Sequence, residues 1–321
     1  MKRSVATLAA LTALPILAVA APATAGDHGR PSTYTLSGDA GGSKFEGIGA
    51  DQRRGRFYVS ETTGGEIHRG TAMESQTQPW LAGDGTDGRF TARGITVDRS
   101  GRVYIAGGPN GDDPKRPGLP DLWVYSAAGE LLAALRVPGD NVFLNDVAIG
   151  PDGAAYFTNS NEPQIYRVSR TVTGWTAQLW ADGSGTIEQQ DGFNLGGIVV
   201  SPDRSALVVA QGNTGALWRF ALADGSVTRV DTGGADLTNA DGLVRRGSTL
   251  TVVRNFSRAL ATLRLSADGR TARLLSQEAT DPTRVLTTAK VLRGRILFVD
   301  SKFDETVATP PYQVITQPLA R

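Results

Sequence analysis

The sequence predicts an all-β fold, a six-bladed β-propeller with four-stranded blades around a central tunnel. Three observations carry this prediction. A strand–turn–strand unit, clearest in Phe143–Ser160 (FLNDVAIGPDGAAYFTNS), recurs in imperfect copies along the chain, and such repetition at a period of about 50 residues marks a radial β array. The residues that precede the innermost strand of each copy, Glu46, Arg93, Asn145, Gly196, Asp241 and Thr288, are spaced by 47, 52, 51, 45 and 47 residues. Outside the N-terminal 25 residues, no long segment carries an apolar 3.6-residue rhythm, so helix is nearly absent. An eight-stranded barrel or a sandwich predicts no such period.

The repeating unit is a hairpin. Asn145 stands at the mouth of its first strand, Val147 and Ile149 alternate along it, Pro151-Asp152-Gly153 turns the chain, and Ala155 to Thr158 returns antiparallel. Ahead of the repeats, residues 1–25 read as a secretory signal peptide. Lys2 and Arg3 form the positive region, Val5 to Ala21 the apolar run, and Ala23-Thr24-Ala25 the cleavage site. The run is interrupted by Pro15 and is shorter than the roughly 20 strongly apolar residues of a spanning helix. A secreted protein with no membrane association after cleavage at Ala25 is expected.

Residues 26–32 are a short disordered lead, and 33–321 form the single propeller domain. Thr33 to Ser37 alternates like a strand, and is expected to join the last blade and close the ring. Blade one begins with FEGIGAD (Phe45–Asp51), blade two with ARGITVD, blade three with the Phe143–Ser160 unit, blade four with GGIVVSPD, blade five with DGLVRRG and blade six with TAKVLRG. Tyr312 to Leu319 supplies the last strand. Pro109 to Pro120 is a Gly/Pro/Asp-rich insertion that reads as a loop, and is the candidate to set specificity.

Composition narrows the function. Removing Lys2 and Arg3 with the leader takes Lys plus Arg from 33 to 31 against 32 acids, so the surface offers nucleic acid or an anionic membrane no electrostatic attraction. There is no cysteine, so the fold is held by its core alone. The two histidines, His28 and His68, both lie in the first quarter of the chain, which excludes a zinc or copper site built on clustered His and Cys. Neither a G-x-S-x-G elbow nor a Rossmann or phosphate-loop glycine pattern is present, so no organic cofactor is expected. No segment reads as an interface, and a monomer that meets a small-molecule substrate or ligand is expected.

In a propeller the innermost strands converge on one axis, so the six slot residues form a ring around the tunnel. Glu61, Asn159, Gln211, Asn255 and Lys302, at the ends of the second strands, are expected as a second tier around the same mouth, the last four orienting substrate. Glu46 and Asp241 bring two carboxylates into the ring, and Asn145 adds an amide. Such groups repel and lose hydration unless a cation compensates them. A hard divalent ion is the natural partner, calcium first, with magnesium and manganese as alternatives. Arg93, in the same ring, offers a competing reading, since its pairing with Glu46 or Asp241 would make a salt-bridged plug and not a site.

The motifs EGI, LNDVAIGPDGAAYFT, GIVVSPD and ADGL, in that order and phase, resemble the family of senescence marker protein (regucalcin), gluconolactonase and luciferin-regenerating enzyme, with diisopropylfluorophosphatase a more distant relative. The resemblance spans the mature chain. It implies a divalent metal, commonly calcium, in the tunnel, and hydrolysis of lactones or, in some members, phosphotriesters. It also implies Glu46 and Asp241 as metal ligands, Asp241 as general base and Asn145 as an amide contacting metal or substrate. One departure stands out: the family's blade-four ligand Asn is here Gly196, in NLGGI. Asn194, two residues earlier, would be displaced by roughly 6–7 Å along an extended chain. Weaker metal binding is the least consequence. Two further functions stay open, a non-catalytic secreted propeller with a degraded metal site, and a sugar binder using Trp80, Trp175 and Trp180.

Overall fold

The first strand, β1 (Thr33–Leu36), pairs antiparallel with the last, β24 (Tyr312–Pro318), so one blade is assembled from both ends of the chain. The computed structural model describes residues 29–109 and 118–319. The expected leader, residues 26–28 of the lead and residues 110–117 of the insertion lie outside them. The chain separates into Met1–Arg30, almost wholly outside the described residues, and one compact unit, Pro31–Arg321.

Blade one contains β2 (Phe45–Asp51), β3 (Arg56–Glu61), β4 (Ile67–Thr71) and β5 (Gln78–Leu81); blade two contains β6 (Ala92–Val97), β7 (Val103–Gly107), β8 (Leu122–Tyr125) and β9 (Leu131–Leu135). Blade three runs from β10 (Leu144–Ile149) through β11 (Ala155–Asn159) and β12 (Gln164–Thr171) to β13 (Gly174–Asp182). Blade four has β14 (Leu195–Val200), β15 (Ala206–Gln211), β16 (Ala216–Ala221) and β17 (Val227–Arg229). Blade five has β18 (Ala240–Arg246), β19 (Thr249–Arg254), β20 (Ala259–Leu265) and β21 (Ala272–Ala279). Blade six joins β22 (Leu286–Leu292) and β23 (Arg295–Asp300) to β24 and β1. This is the six-bladed propeller the sequence predicts, closed by the strand at Thr33. A 3-10 turn stands at Thr86–Gly88.

The inner hairpins form where the sequence puts alternating apolar residues around a turn. Gly153 (φ 80°) supplies the left-handed residue after Asp152, whose carboxylate accepts the Ala154 N–H at 3.2 Å. Second strands such as Ala155–Asn159 and Ala206–Gln211 are buried along their whole length, because both faces of a blade pack on neighbours. Outer strands such as Leu131–Leu135 are largely exposed. The apolar core is accordingly divided into wedges, one at each seam between blades. Tyr34, Phe57 and Tyr312 pack at the seam of blades six and one, Phe157 and Tyr104 between two and three, and Leu207 and Ile165 between three and four. The tryptophans considered for sugar binding belong to this packing. Trp80 stacks on Tyr58 (4.6 Å), Trp175 meets Tyr104 (6.0 Å) and Trp180 meets Tyr156 (4.9 Å), so none of them forms an open platform.

Every innermost strand begins with the same irregularity. Pairing slips between Phe45 and Ile48, Ala92 and Ile95, Leu144 and Val147, Leu195 and Ile198, Ala240 and Leu243, and Leu286 and Ala289. Two residues thus face one on the partner strand, a β-bulge. The second bulge residue lies hard against the next blade, and a Cβ at Gly47 would overlap the Arg93 carbonyl. Hydroxyl groups fasten the same points. Ser60 accepts the Gly47 N–H (2.9 Å) and donates to the Arg93 carbonyl, while Thr158 accepts the Asp146 N–H (3.0 Å) and donates to the Gly196 carbonyl (2.8 Å).

Gly47→Ala is therefore expected to destabilise the protein by about 1–3 kcal/mol through overpacking. Gly196→Ala, whose Cβ has ordinary van der Waals space, should stay within about 0.5 kcal/mol. Urea unfolding of the two variants checks both, and equal losses would contradict the bulge packing.

Candidate functional site

In five blades the first residue of the bulge faces the tunnel. Glu46, Arg93, Asn145, Gly196 and Asp241 all line one cavity of about 580 Å³ at that end of the inner strands. The sixth blade departs from expectation. Its bulge is Thr287-Thr288; the Thr287 hydroxyl donates to the Glu46 carbonyl (2.8 Å) and Thr288 is pressed against Gly242, so Thr288 does not line the cavity. A second cavity, of about 610 Å³, lies at the opposite ends of the same strands, bordered by Arg99, Arg102, Arg204, Arg245 and Lys290.

Three oxygen donors meet in the first cavity. Oε2 of Glu46 is buried without a hydrogen-bond partner. A Cβ placed on Gly196 would lie 3.7 Å from Asn145 Oδ1 and 3.9 Å from Asp241 Oδ1, so those two oxygens converge beside the glycine. Asp241 presents Oδ1 because Asn255 Nδ2 donates to its other oxygen at 2.8 Å. Burial, then the charges of Asp241 and Asp146, hold the Glu46 carboxyl well above its ordinary value. Burial likewise lifts Asp241 to about 7, with the Asn255 hydrogen bond opposing and the Asp146 charge adding. An orphaned carboxylate oxygen beside an amide and a second carboxylate is the donor chemistry of a hard divalent cation. Glu46, Asn145 and Asp241 fit that group.

Arg93 does not plug the ring. Its guanidinium donates to the Leu144 carbonyl (3.1 Å) and the Gly108 carbonyl (2.9 Å) and lies over the Phe143 ring, 3.6 Å from its centre. Burial lowers its pKa to about 10, against the pull of Glu46 and Asp121. It remains a cation facing the carboxylates, with its hydrogen bonds committed to backbone.

The expected second tier is only partly assembled. Asn255 lines the cavity and orients Asp241. Asn159 is buried to the side, accepting the Phe143 N–H (2.8 Å) and donating to the Asn141 carbonyl (3.1 Å). Gln211 is tied to Trp218 (2.9 Å), Asn194 (3.0 Å) and the Glu188 carbonyl (2.9 Å). Lys302 pairs with Glu305 at 3.0 Å. These three do not line the cavity, because each completes a loop that the strand end must support; Glu61, the fifth of the expected tier, is also outside it, buried and held by Thr63. Asn194 does line it, but not as a stand-in for the missing Asn. Its amide donates to the Gln190 and Gly192 carbonyls (2.8 and 3.0 Å), and its oxygen accepts from Gln190, Gln211 and Asn213. Asn194 therefore shapes the 188–194 loop.

Sequence reasoning passed over two features. Asp146, the second residue of the blade-three bulge, accepts the Val147 N–H (2.8 Å) and reaches the Ile198 N–H (3.3 Å), so a buried carboxylate ties blade three to blade four just behind the ring. The cavity mouth also carries an aromatic collar of Phe143, Phe193, Phe256 and Phe303, with Phe193 and Phe256 half or more exposed. The signal was adjacency, since Phe193, Phe256 and Phe303 each neighbour Asn194, Asn255 or Lys302 in the chain.

No family model matches the chain, and neither does any curated protein. Solved structures do. The major allergen Mala s 1 of Malassezia sympodialis is similar over 89% of this chain and 96% of its own, at 16% identity and a TM-score of 0.65. A gluconolactonase of Xanthomonas campestris is similar over 87% of each chain, at 17% identity and a TM-score of 0.60. Virginiamycin B lyase of Staphylococcus aureus is similar over 90% of this chain and 88% of its own, at 13% identity and a TM-score of 0.57. At these identities the likeness establishes the propeller fold.

Raised carboxyl pKa values couple the site to stability. A group whose pKa is lifted by folding contributes its full stability below its unfolded value, near pH 4, and loses it as the pH rises through the folded value, here about 7 for Asp241. Between pH 5 and 8, chelator-treated wild type should therefore lose on the order of 2–4 kcal/mol more stability than Asp241→Asn. Denaturant unfolding at the two pH values measures the difference, and parallel behaviour of the two proteins would refute the assignment.

Proposed function

We propose that the protein is an exported, metal-dependent hydrolase of a small ester or lactone, with Glu46, Asn145 and Asp241 holding a divalent cation, calcium first. The observation that carries this reading is the convergence of Asn145 Oδ1 and Asp241 Oδ1 beside Gly196, in the cavity that Glu46, with its unpartnered buried oxygen, also lines. A bound divalent ion supplies charge compensation for the carboxylates and Lewis acidity toward a carbonyl oxygen. The chain's own groups supply the rest. Asn255 fixes Asp241 through one oxygen, leaving the other to take the proton of an attacking water. Arg93, held over Phe143, places positive charge where negative charge develops on the substrate.

The aromatic collar bears on the substrate. Phe143 and Phe193 stack at 5.0 Å across the mouth, and with Phe256 and Phe303 they favour an ester or lactone with an apolar or aryl portion over a polyhydroxylated sugar lactone. The gluconolactonase and the lyase among the fold neighbours are consistent with chemistry at an ester. An inactive form of the lyase carries an alanine in place of a histidine. The one histidine among the described residues here, His68, lies outside the cavity, which favours hydrolysis with a carboxylate base.

Gly196 favours a second reading, a ligand-binding propeller without turnover, because one ring position carries no donor. The two are separated by assaying chelator-treated protein on lactones and aryl esters with calcium, manganese or magnesium restored. The hydrolase reading expects metal-dependent turnover that falls at least about 100-fold in Asp241→Asn. Undiminished turnover in that variant, or saturable ligand binding indifferent to chelator and without product, overturns it. Gly196→Asn, whose Cβ meets only ordinary van der Waals contacts and whose amide adds a donor to the ring, is expected to tighten calcium binding by calorimetry.

A further inference from the structure

His68 is buried, with 1% of its surface exposed, and the catalytic reading gives it no task. It lies on β4 opposite Val59 of β3, so Glu61, two residues beyond Val59, and Glu66, two residues before His68, share its face of the hairpin. The three side chains present His68 Nε2 and two carboxylate oxygens within 4.8 Å of one another. Nε2 stands 3.9 Å from Glu61 Oε2 and 3.6 Å from Glu66 Oε2. Those separations are too long for hydrogen bonds. They are close to the roughly 3.4 Å edge of a tetrahedron with bonds of about 2.1 Å. Both His68 Nε2 and Glu61 Oε2 are buried with no hydrogen-bond partner.

We propose that Glu61, Glu66 and His68 form a second cation site, separate from the tunnel, for a tetrahedral transition metal of the zinc type. The supporting contacts are in place. Ser37 Oγ lies 3.4 Å from His68 Nδ1, a second-side contact of the kind that orients a metal-binding imidazole, while Nε2 faces the two carboxylates. The Phe45 ring meets the imidazole edge-on at 5.4 Å and fixes its plane. Thr63 holds the other oxygen of Glu61. Asp39 and Asp84 crowd the same corner around Gly64. Glu61, Asp39 and Asp84 surround Glu66 with like charge, and His68 is the opposing neighbour. A dication relieves that repulsion. Glu66, 27% exposed, leaves an entry path from solvent, and a water completes four-coordination. The composition excludes a site of several His and Cys, but not one histidine with two carboxylates from the same hairpin. Its role is to brace the β3–β4 hairpin against the 37–43 segment.

The test is Zn2+ titration of the full chain by calorimetry, in wild type, in the tunnel double variant Glu46→Gln/Asp241→Asn, and in Glu66→Gln and His68→Gln. One equivalent should bind in the tunnel variant as in wild type, and Glu66→Gln and His68→Gln should weaken it at least about tenfold. The same equivalent should raise the melting temperature of wild type and of the tunnel variant. Co2+ in its place should give the strong visible absorption of a tetrahedral site, lost in Glu66→Gln. Glu66 is partly exposed, so its Gln variant keeps the test valid if His68→Gln fails to fold. Absence of Zn2+ binding in the tunnel variant, or binding unchanged in Glu66→Gln, overturns the proposal and leaves the cluster as a histidine flanked by two carboxylates.

Discussion

The bulge at the head of each innermost strand is the constraint on which the molecule depends. Six strands converging on one axis come too close for ordinary side chains at every position. The extra residue resolves the crowding by sending one side chain into the tunnel and setting its neighbour against the next blade. Gly47, Gly94, Gly197 and Gly242 occupy the second position because a Cβ there would enter the adjoining blade. Where blade three carries Asp146 instead, the larger residue is accommodated by hydrogen bonds to the backbone of its own blade and the next. The local irregularity therefore builds the seams and the functional ring together.

Electrostatics follows from the same geometry. Glu46 and Asp241 are drawn into one space with Asp146 behind them; Arg93 answers first, its donors already satisfied by carbonyls, and Lys290 second. The arginines and lysine gather at the other end of the strands. The tunnel is thus acidic and poor in compensating charge at one mouth and basic at the other. Propellers host many unrelated activities, so the chemistry belongs to these few side chains and to the phenylalanines above them.

The fold was legible because it is a repeat. The spacing of Glu46, Arg93, Asn145, Gly196 and Asp241 located the ring without any knowledge of pairing, and those five residues do share one cavity. The sixth position breaks the pattern, since neither residue of the Thr287-Thr288 bulge lines the cavity and the Thr287 hydroxyl is spent on the Glu46 carbonyl. The second tier was less legible for a different reason. Strand ends fix where a Cα lies, but Asn159, Gln211 and Lys302 turn toward loops whose carbonyls and side chains need partners, and loop demand is not periodic. The corner around His68 was invisible to counting, because its chemistry comes from one hairpin face and not from the abundance of any residue type.

The seam between β1 and β24 gives the ring a temporal order. The strand that completes it is made first and its partner last, and the hydrogen bond from Thr316 to the Pro31 carbonyl joins residues 285 apart. Until the final blade exists, five blades form an open arc with an uncovered apolar face at each end. Closure is thus a late, non-local event, of the kind that slows β-rich chains. Once closed, the ring has no free end from which to unravel, and the blades stand or fall together.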